Sequence, residues 1–393
     1  MIDAEAELGR RVQEFLAAHP PAQTDRDRFL RARFEAGLAW VDYPVGLGGL
    51  DLDNSVQPAV DAAFAAAGAP DNKPQSNVIG LGMAAPTLLQ WATREQQERW
   101  LPPLWTGEEV WCQLFSEPGA GSDLAAVGAS ARRDGEDWVV NGQKVWTSLA
   151  HTSRWALLLV RTDPTVPKHQ GLTYFVVDMQ SPGIDVRALR QLTGEAEFNE
   201  VYLDDVRVPD AQRLGAVGEG WRVTQTTLMN ERVAIGGSVG SRETGPVADL
   251  ISMWREARAD RPELLDDVTR LWVDAEALRL ASALSAQAAE RGTPGPEGSG
   301  LKLAFAQLAQ ASSSLTLDVQ GPQALRYDDW TEHRPDLTTP PDRVPGYWYL
   351  RTRANSIEGG TSEVMRNIIA ERVLGLPAEP RVDKDIAWKD IPK

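Results

Sequence analysis

Two changes of hydrophobic period divide this 393-residue sequence, and they predict an α+β multidomain protein in the order helical, β, helical. Apolar residues recur at helical spacing up to about Glu108, alternate from Val110 to about Val208, and return to helical spacing after Gly220. The expected units are a helical domain over 1–108, a β-domain over 109–220, a helical domain over 221–378 and a tail over 379–393.

In the first unit Leu8, Val12, Phe15 and Leu16 fall at i, i+4, i+7 and i+8, the stripe of an amphipathic helix. Leu88, Leu89 and Trp91 lead into the charged TREQQERW, and LPPLW should then end that helix, because proline brings no N–H donor. PVGLGGL (Pro44–Leu50) is a loop, with no strand–turn–helix unit around it to suggest dinucleotide binding. In the second unit DWVVNGQKVW (Asp137–Trp146) predicts a hairpin turning at Asn141–Gly142. WALLLV, LTYFVVDM, IDVRAL and EVYLDDVRV predict further strands, punctuated by Gly, Pro and Asp as in a small β-barrel or sandwich. In the third unit WRVTQTTLMNERVAI, the run from Pro262 to Ala289 and LKLAFAQLAQASSSLTLDVQ predict helices, with a loop over Arg291–Gly300. Pro335, Pro340, Pro341 and Pro345 mark a longer irregular insert at the border of a pocket, and the folded part should end at Pro377.

Composition excludes several functions. Four histidines, none at ligand spacing, and one cysteine, Cys112, give no zinc or iron site and no intrachain disulfide. That cysteine usage suits a reducing cytoplasm. The opening MIDAEAELGRRVQEF carries acids where a secretory signal needs a basic end and an apolar run, so no export is expected. No apolar stretch approaches the roughly 18 residues of a membrane span. A net charge of −16 argues against nucleic acid, and it requires any polyanionic ligand to be met by local donors.

Two stretches carry chemistry. In QLFSEPGAGSD (Gln113–Asp123) Pro118 fixes the entry to a turn and Gly119 and Gly121 remove side chains, so backbone N–H groups can approach a planar ring or a phosphate. In KVWTSLAH (Lys144–His151) a tryptophan and two hydroxyls at a strand end offer a stacking face and two hydrogen bonds to a heteroaromatic ring.

Together with FNEVYLDDVRVP (Phe198–Pro209) and the ending GGTSEVMRNIIAERVLGLP (Gly359–Pro377), these stretches resemble the acyl-CoA dehydrogenase family, in order and over nearly the whole chain. The likeness is to bacterial members with the GGTSE ending. It implies an N-terminal helical domain, a middle β-domain and a C-terminal four-helix bundle, with FAD between the last two. Carried over, Gln113, Leu114, Phe115 and Ser116 with Gly121 and Ser122 would line the flavin and the start of the acyl-CoA channel. Trp146 would pack on the flavin, and Thr147 and Ser148 would reach its N5 edge. Ser122 and Arg232 are the substrate candidates, Ser122 at the pantetheine arm. Thr361 and Glu363, at a helix N-terminus, would meet the ribose or pyrophosphate of FAD. VQGPQ keeps Gln320 and Gly321 of the family's Q-x-x-G-G stretch as further cofactor candidates. The R-x-x-F-G stretch, whose arginine reaches the FAD of a neighbouring subunit, is absent, and Arg255, Arg258 and Arg261 stand as open replacements.

Desaturation beside a thioester carbonyl passes an α-proton to a base while a β-hydride goes to flavin N5, and the base needs a raised pKa and a fixed position. Many family members place a glutamate directly before the Gly-Thr of the last motif. Here that position is Gly359, and Glu358 comes one residue early. A second family arrangement puts the glutamate before an arginine on a bundle helix, which Asn230–Glu231–Arg232 matches. Thr224, Leu228, Glu231 and Ile235 are spaced i, i+4, i+7 and i+11, so Glu231 shares a face with apolar residues, where desolvation raises a carboxyl pKa. Glu231 is the expected base and Glu358 the runner-up.

The resemblance further implies an acyl-CoA substrate, an electron-transfer flavoprotein as acceptor, and a homo-oligomer, a tetramer or a dimer. Two other readings share the fold: a flavin oxidase or monooxygenase acting on nitroalkanes or amino sugars, and a subunit of a heteromeric acyl-CoA dehydrogenase.

Overall fold

A computed structural model describes residues 2–72, 77–236, 242–289, 296, 298–327, 329–335, 343–381 and 383–392. Helix α1 (Ile2–Ala18) buries Leu8, Val12 and Phe15, the stripe its spacing predicts. Against it pack α2 (Arg26–Glu35), capped by the Asp25 carboxylate, and α3 (Gln57–Ala66). The Phe15 ring stands edge-on to Phe29 and Phe64 at 5.3 and 5.6 Å, an arrangement aromatic quadrupoles favour. α4 (Ala85–Trp91) is followed by α5 (Arg94–Thr106), which opens on a capping box between Thr93 and Gln96. The expected break at LPPLW does not occur. α5 runs through Pro102 and Pro103 to the left-handed Gly107. Two lost N–H donors oppose this, but Trp100, Leu101, Leu104 and Trp105 are all buried there, each worth about 1.5–3 kcal/mol.

The middle unit is one mixed sheet of β1 (Trp111–Leu114), β2 (Ser130–Asp134), β3 (Asp137–Ser148), β4 (Trp155–Arg161), β5 (Leu172–Asp178), β6 (Ile184–Leu189), β7 (Phe198–Pro209) and β8 (Arg213–Leu214). Its order is β6-β7-β3-β2-β4-β5-β8, with β1 parallel to β4. β2 and β4 pair only at Ser130–Arg161, and around that link the two halves share one interior in which Trp138 of β3 meets Phe175 of β5 at 5.6 Å. β4 is buried along its whole length because its alternate residues serve two cores. Leu157 and Leu159 join the N-terminal helices, while Ala156, Leu158 and Val160 fill the sheet's own interior.

The hairpin expected within DWVVNGQKVW is a continuous strand. β3 turns back instead onto β2, with Gly135 in the left-handed region at φ 65°. Asn141 exchanges two hydrogen bonds of 2.9 Å with Asp205 across a register shift against β7. A Cβ on Gly142 would lie 2.5 Å from the Ala129 Cβ, so this glycine serves a close approach between strands rather than a turn.

The C-terminal unit comprises α6 (Gly220–Gly236), α7 (Pro246–Ala257), α8 (Leu265–Ala289), α9 (Gly298–Gln320), α10 (Pro345–Arg351) and α11 (Ser362–Ile368), the last continued by a π-helical turn, Ile369–Val373. α9 is central and packs on the other five, with Leu250, Val268, Leu271, Leu315 and Val319 in the core. α6 ties the three units together: the Thr227 hydroxyl meets Thr87 at 3.0 Å and Tyr174 at 2.9 Å, and the Trp91 indole donates to Thr226 at 2.9 Å. Most of the loop over Arg291–Gly300, with Pro340 and Pro341, lies outside the described residues. The described part of the proline-rich insert pairs with the connection between β6 and β7, Ala196 donating to the His333 carbonyl at 2.8 Å and His333 to the Gly194 carbonyl at 3.1 Å.

The fold does not end at Pro377. Residues 383–392 return to the middle unit, where Ala387 bridges Pro167 in the connection between β4 and β5. Among the described residues no helix is long and apolar enough to cross a membrane, and no group of His, Cys, Asp or Glu is arranged to hold a metal.

Candidate active site

Behind β1 the chain enters the loop that carries Ser116, Gly121 and Ser122. Leu114 and Phe115 are buried in the two cores, so they face any ligand only through their backbone. Gln113 and Ser116 are half-buried, and the Ser116 carbonyl accepts from Val145 at 2.9 Å. Glu117 and Ala120 close a tight turn by exchanging backbone hydrogen bonds. The turn rests on a buried ion pair: Lys144 Nζ donates to Glu117 Oε1 at 2.8 Å and to the Phe115 and Leu159 carbonyls at 2.9 and 2.7 Å. The Glu117 carboxylate also accepts from the Gly128 and Ala129 N–H groups at 2.7 and 2.9 Å. Burial pushes the Lys144 ammonium below its ordinary value, and Glu117 opposes this. Removing one member of such a pair costs about 3–5 kcal/mol, because it strands the other charge.

Between Lys144 and Thr147 β3 shifts register against β7, and Trp146 lies within that shift. Trp146 adopts φ 62°, is 58% exposed and leans edge-on against Phe198 at 5.8 Å. A bulky residue in the left-handed region costs on the order of 1–3 kcal/mol, a cost found mostly at functional positions. Next to it Thr147 is buried, and its Oγ1 has no hydrogen-bond partner among the described residues. Asn199 holds the Thr147 backbone, donating to its carbonyl at 3.0 Å, and Ser148 is half-buried. An exposed indole beside an unmet hydroxyl suits a flat ring with polar edges.

The helical wall opposite begins at Arg351, at the C-terminus of α10. Its guanidinium lies 5.6 Å from the Phe198 ring, meets Glu197 at 3.1 Å and meets both oxygens of Glu358 at 3.2 Å. Burial pushes the Glu197 carboxyl up, and Arg351 opposes this. Gly359 and Gly360 follow at φ 63° and 95°. A carboxylate could occupy position 359 only with strain, which gives a physical reason for glycine there. Thr361 caps α11, accepting from the Val364 N–H at 3.1 Å, and Glu363 is exposed. Beneath this turn lies Lys302 of α9, only 2% exposed, which donates to the Asn355 and Gly360 carbonyls at 2.8 and 2.6 Å. Burial pushes its ammonium down, and Glu358, Glu231 and Glu363 together draw it back up. Glu231 reaches this cluster from α6, half-buried on the face that buries Thr224 and Thr227. The side chains of Arg232 and Ile235 lie outside the described residues.

Family models for the N-terminal, middle and C-terminal domains of acyl-CoA dehydrogenases match residues 3–108, 112–206 and 218–374. The chain belongs to the acyl-CoA dehydrogenase family. It is 40% identical over 351 residues to the acyl-CoA dehydrogenase IpdE1 of Mycobacterium tuberculosis, covering 88% of this chain and 86% of that one. It is 43% identical over 295 residues to FadE34 of the same organism, covering 75% of this chain and 39% of FadE34. The solved ChsE4–ChsE5 complex from Mycobacterium tuberculosis is 27% identical, with a TM-score of 0.68 over 96% of this chain and 98% of that one.

In this acyl-CoA dehydrogenase chain, Trp146 connects through Phe198 and Arg351 to Glu358, and Glu358, Glu231 and Glu363 all act on Lys302. Gln320 and Gly321 are not gathered with them. Gln320, the last residue of α9, lies 18 residues beyond Lys302, about 27 Å at 1.5 Å per residue, and Gly321 follows it. Gly321 sits beside Arg261, whose guanidinium donates to the Asp318 carbonyl, so of the three candidate arginines Arg261 is the one at that end of α9. Sequence reasoning assigned nothing to Glu117, Lys144, Glu197, Lys302 and Arg351. Glu117 and Lys144 lie inside the QLFSEPGAGSD and KVWTSLAH stretches, but their pairing joins residues 27 apart. Lys302 in GLKLAF looks like any solvent-facing lysine, and nothing local marks it as buried.

Proposed function

We propose that the chain catalyses FAD-dependent α,β-dehydrogenation of an acyl-CoA thioester. The observation that carries the reading is the line Trp146–Phe198–Arg351–Glu358, which links the exposed indole of β3 to the carboxylates around Lys302. Trp146 would cover the flavin ring, and the unmet Thr147 hydroxyl would bond its polar edge together with Ser148. Ser116 would support the same ring from the loop after β1, Thr361 and Glu363 would lie toward the ribose and pyrophosphate, and Ser122 would receive the pantetheine arm. When bound, FAD supplies the two-electron acceptor for the β-hydride.

Glu231 is the base in this reading. It lies half-buried on the α6 face that buries Thr224 and Thr227, and it precedes an arginine as in the family's second arrangement. Glu231 takes the α-proton onto its carboxylate, and Lys302 compensates the negative charge of the carboxylate cluster before the transfer. Protein with this activity belongs in the cytoplasm and delivers its electrons to an electron-transfer flavoprotein. The test is anaerobic reduction of the bound flavin by acyl-CoA, compared between wild type, Glu231→Gln and Glu358→Gln. Glu231→Gln should keep its FAD and slow reduction ~10²–10⁴-fold. Normal reduction in Glu231→Gln with loss in Glu358→Gln would transfer the role to Glu358.

A further inference from the structure

Beyond Val373 the chain runs exposed to Arg381, and residues 383–392 then dock on the back of the ligand loop. Trp388 and Lys389 donate their backbone N–H groups to the Val166 and Pro164 carbonyls at 2.9 and 3.0 Å. The Trp388 indole N–H donates to the Ala126 carbonyl at 3.1 Å, and its ring covers the Arg161 guanidinium at 4.4 Å. Arg161, 3% exposed, donates in turn to the carbonyls of Ala125 at 2.6 Å and of Val127 and Lys168 at 3.1 Å. At the other edge Lys168 is 5% exposed and held between Asp123 at 2.6 Å and Asp383 at 2.5 Å. The tail therefore grips the stretch 123–128 at both ends, through one buried lysine and one buried arginine.

That stretch continues directly from Gly121 and Ser122, and through Gly128 it holds the Glu117 carboxylate. Ala120 before the tip is buried, but Gly121 and Ser122 themselves pack little. A Cβ placed on Gly119 or Gly121 would meet nothing within 4 Å, and Ser122 is exposed. A polar loop tip without packing is ordered by its anchors, and a loop that must be ordered on binding weakens the affinity by the cost of that ordering.

We infer that the C-terminal tail is a strap that positions the Gly121–Ser122 tip for the CoA arm of the substrate, with Trp388 and Asp383 as its positioning residues. This rests on the reading of Gly121–Ser122 as a ligand-binding loop. The strap touches neither ligand nor reacting atoms. It acts through Arg161 and Lys168, so its loss should weaken CoA binding and leave the chemical step to bound substrate nearly unchanged.

The test uses the flavin-loaded protein in four forms: wild type, a chain ending at Pro380, Trp388→Ala and Trp388→Phe. Hydrogen–deuterium exchange over 116–128 reads the anchoring, and calorimetric titration with free coenzyme A reads the arm site. Removing the strap should speed exchange in that segment and raise the Kd for coenzyme A about tenfold, with Trp388→Ala close behind. Trp388→Phe, which keeps a ring over Arg161, should recover most of the affinity. Faster exchange with an unchanged Kd, or unchanged exchange, overturns the strap alone. A wild type that fails to bind coenzyme A overturns the ligand-loop reading and the positioning role with it.

Discussion

Trp146 combines two costs that an apo fold gains nothing from: a left-handed backbone at φ 62° and an indole left 58% exposed. Both become understandable if a flat ring covers that face. Trp146→Ala should keep the fold, because the side chain supports little of it, and should release FAD during dialysis. The lost face is worth ~1–3 kcal/mol, roughly 5- to 150-fold in Kd. Flavin stoichiometry after dialysis checks this, and full retention by the alanine variant would remove Trp146 from the cofactor site. Thr147 was legible in the sequence only as a hydroxyl after a tryptophan. The structure adds that the hydroxyl is buried and unmet, which is what separates it from an ordinary surface threonine.

Between elements, the tie that matters most is Lys302, which joins α9 to the turn before α11 through two backbone carbonyls while three carboxylates act on its ammonium. Lys302→Met keeps most of the volume but leaves the Asn355 and Gly360 carbonyls unmet and removes the positive charge on which Glu231, Glu358 and Glu363 act. It should lower stability by about 2–4 kcal/mol, read as a fall in the urea midpoint, and it should loosen FAD as well. Lys302→Arg should do less harm, and a midpoint unchanged in Lys302→Met would contradict the tie. The element-level errors of sequence reading have the same origin as the oversight of Lys302. Asn141–Gly142 carries a genuine turn signal, yet Asp205 and Ala129, distant in sequence, convert it into a close strand contact. Pro102 and Pro103 carry a genuine stop signal, yet the buried Trp100 and Trp105 on either side hold the helix. Strands such as Ile184–Leu189 and the stripe of α1 were legible because periodicity alone determines them. The tail's docking was invisible, since an indole over a distant arginine has no local pattern.

At the scale of the whole molecule, α8 leaves Val273, Leu280 and Leu284 exposed at i, i+7 and i+11, one apolar row on the bundle's outer side. Leu374 and Leu376 after α11 are exposed as well. Rows of this kind mark subunit contacts. The position of Gln320, Gly321 and Arg261 at the far end of α9 also fits a cofactor site completed by another chain. We therefore expect a homotetramer, with light scattering on flavin-loaded protein giving four times the 43.0 kDa protomer mass. A dimer would mean a smaller assembly or pairing with a different chain, the arrangement named for the similar ChsE4–ChsE5 complex. A monomer at micromolar concentration would contradict the interface altogether.

Removal of the α-proton by Glu231 while flavin takes the hydride is read out by anaerobic titration with acyl-CoA thioesters in a spectrophotometer. Wild type should be isolated yellow, and an accepted thioester should bleach its flavin without oxygen. Glu231→Gln should stay yellow under the same addition, and Glu358→Gln should bleach. A wild type that holds flavin yet is bleached by no thioester, or a Glu231→Gln variant that bleaches at the wild-type rate, would contradict this chemistry.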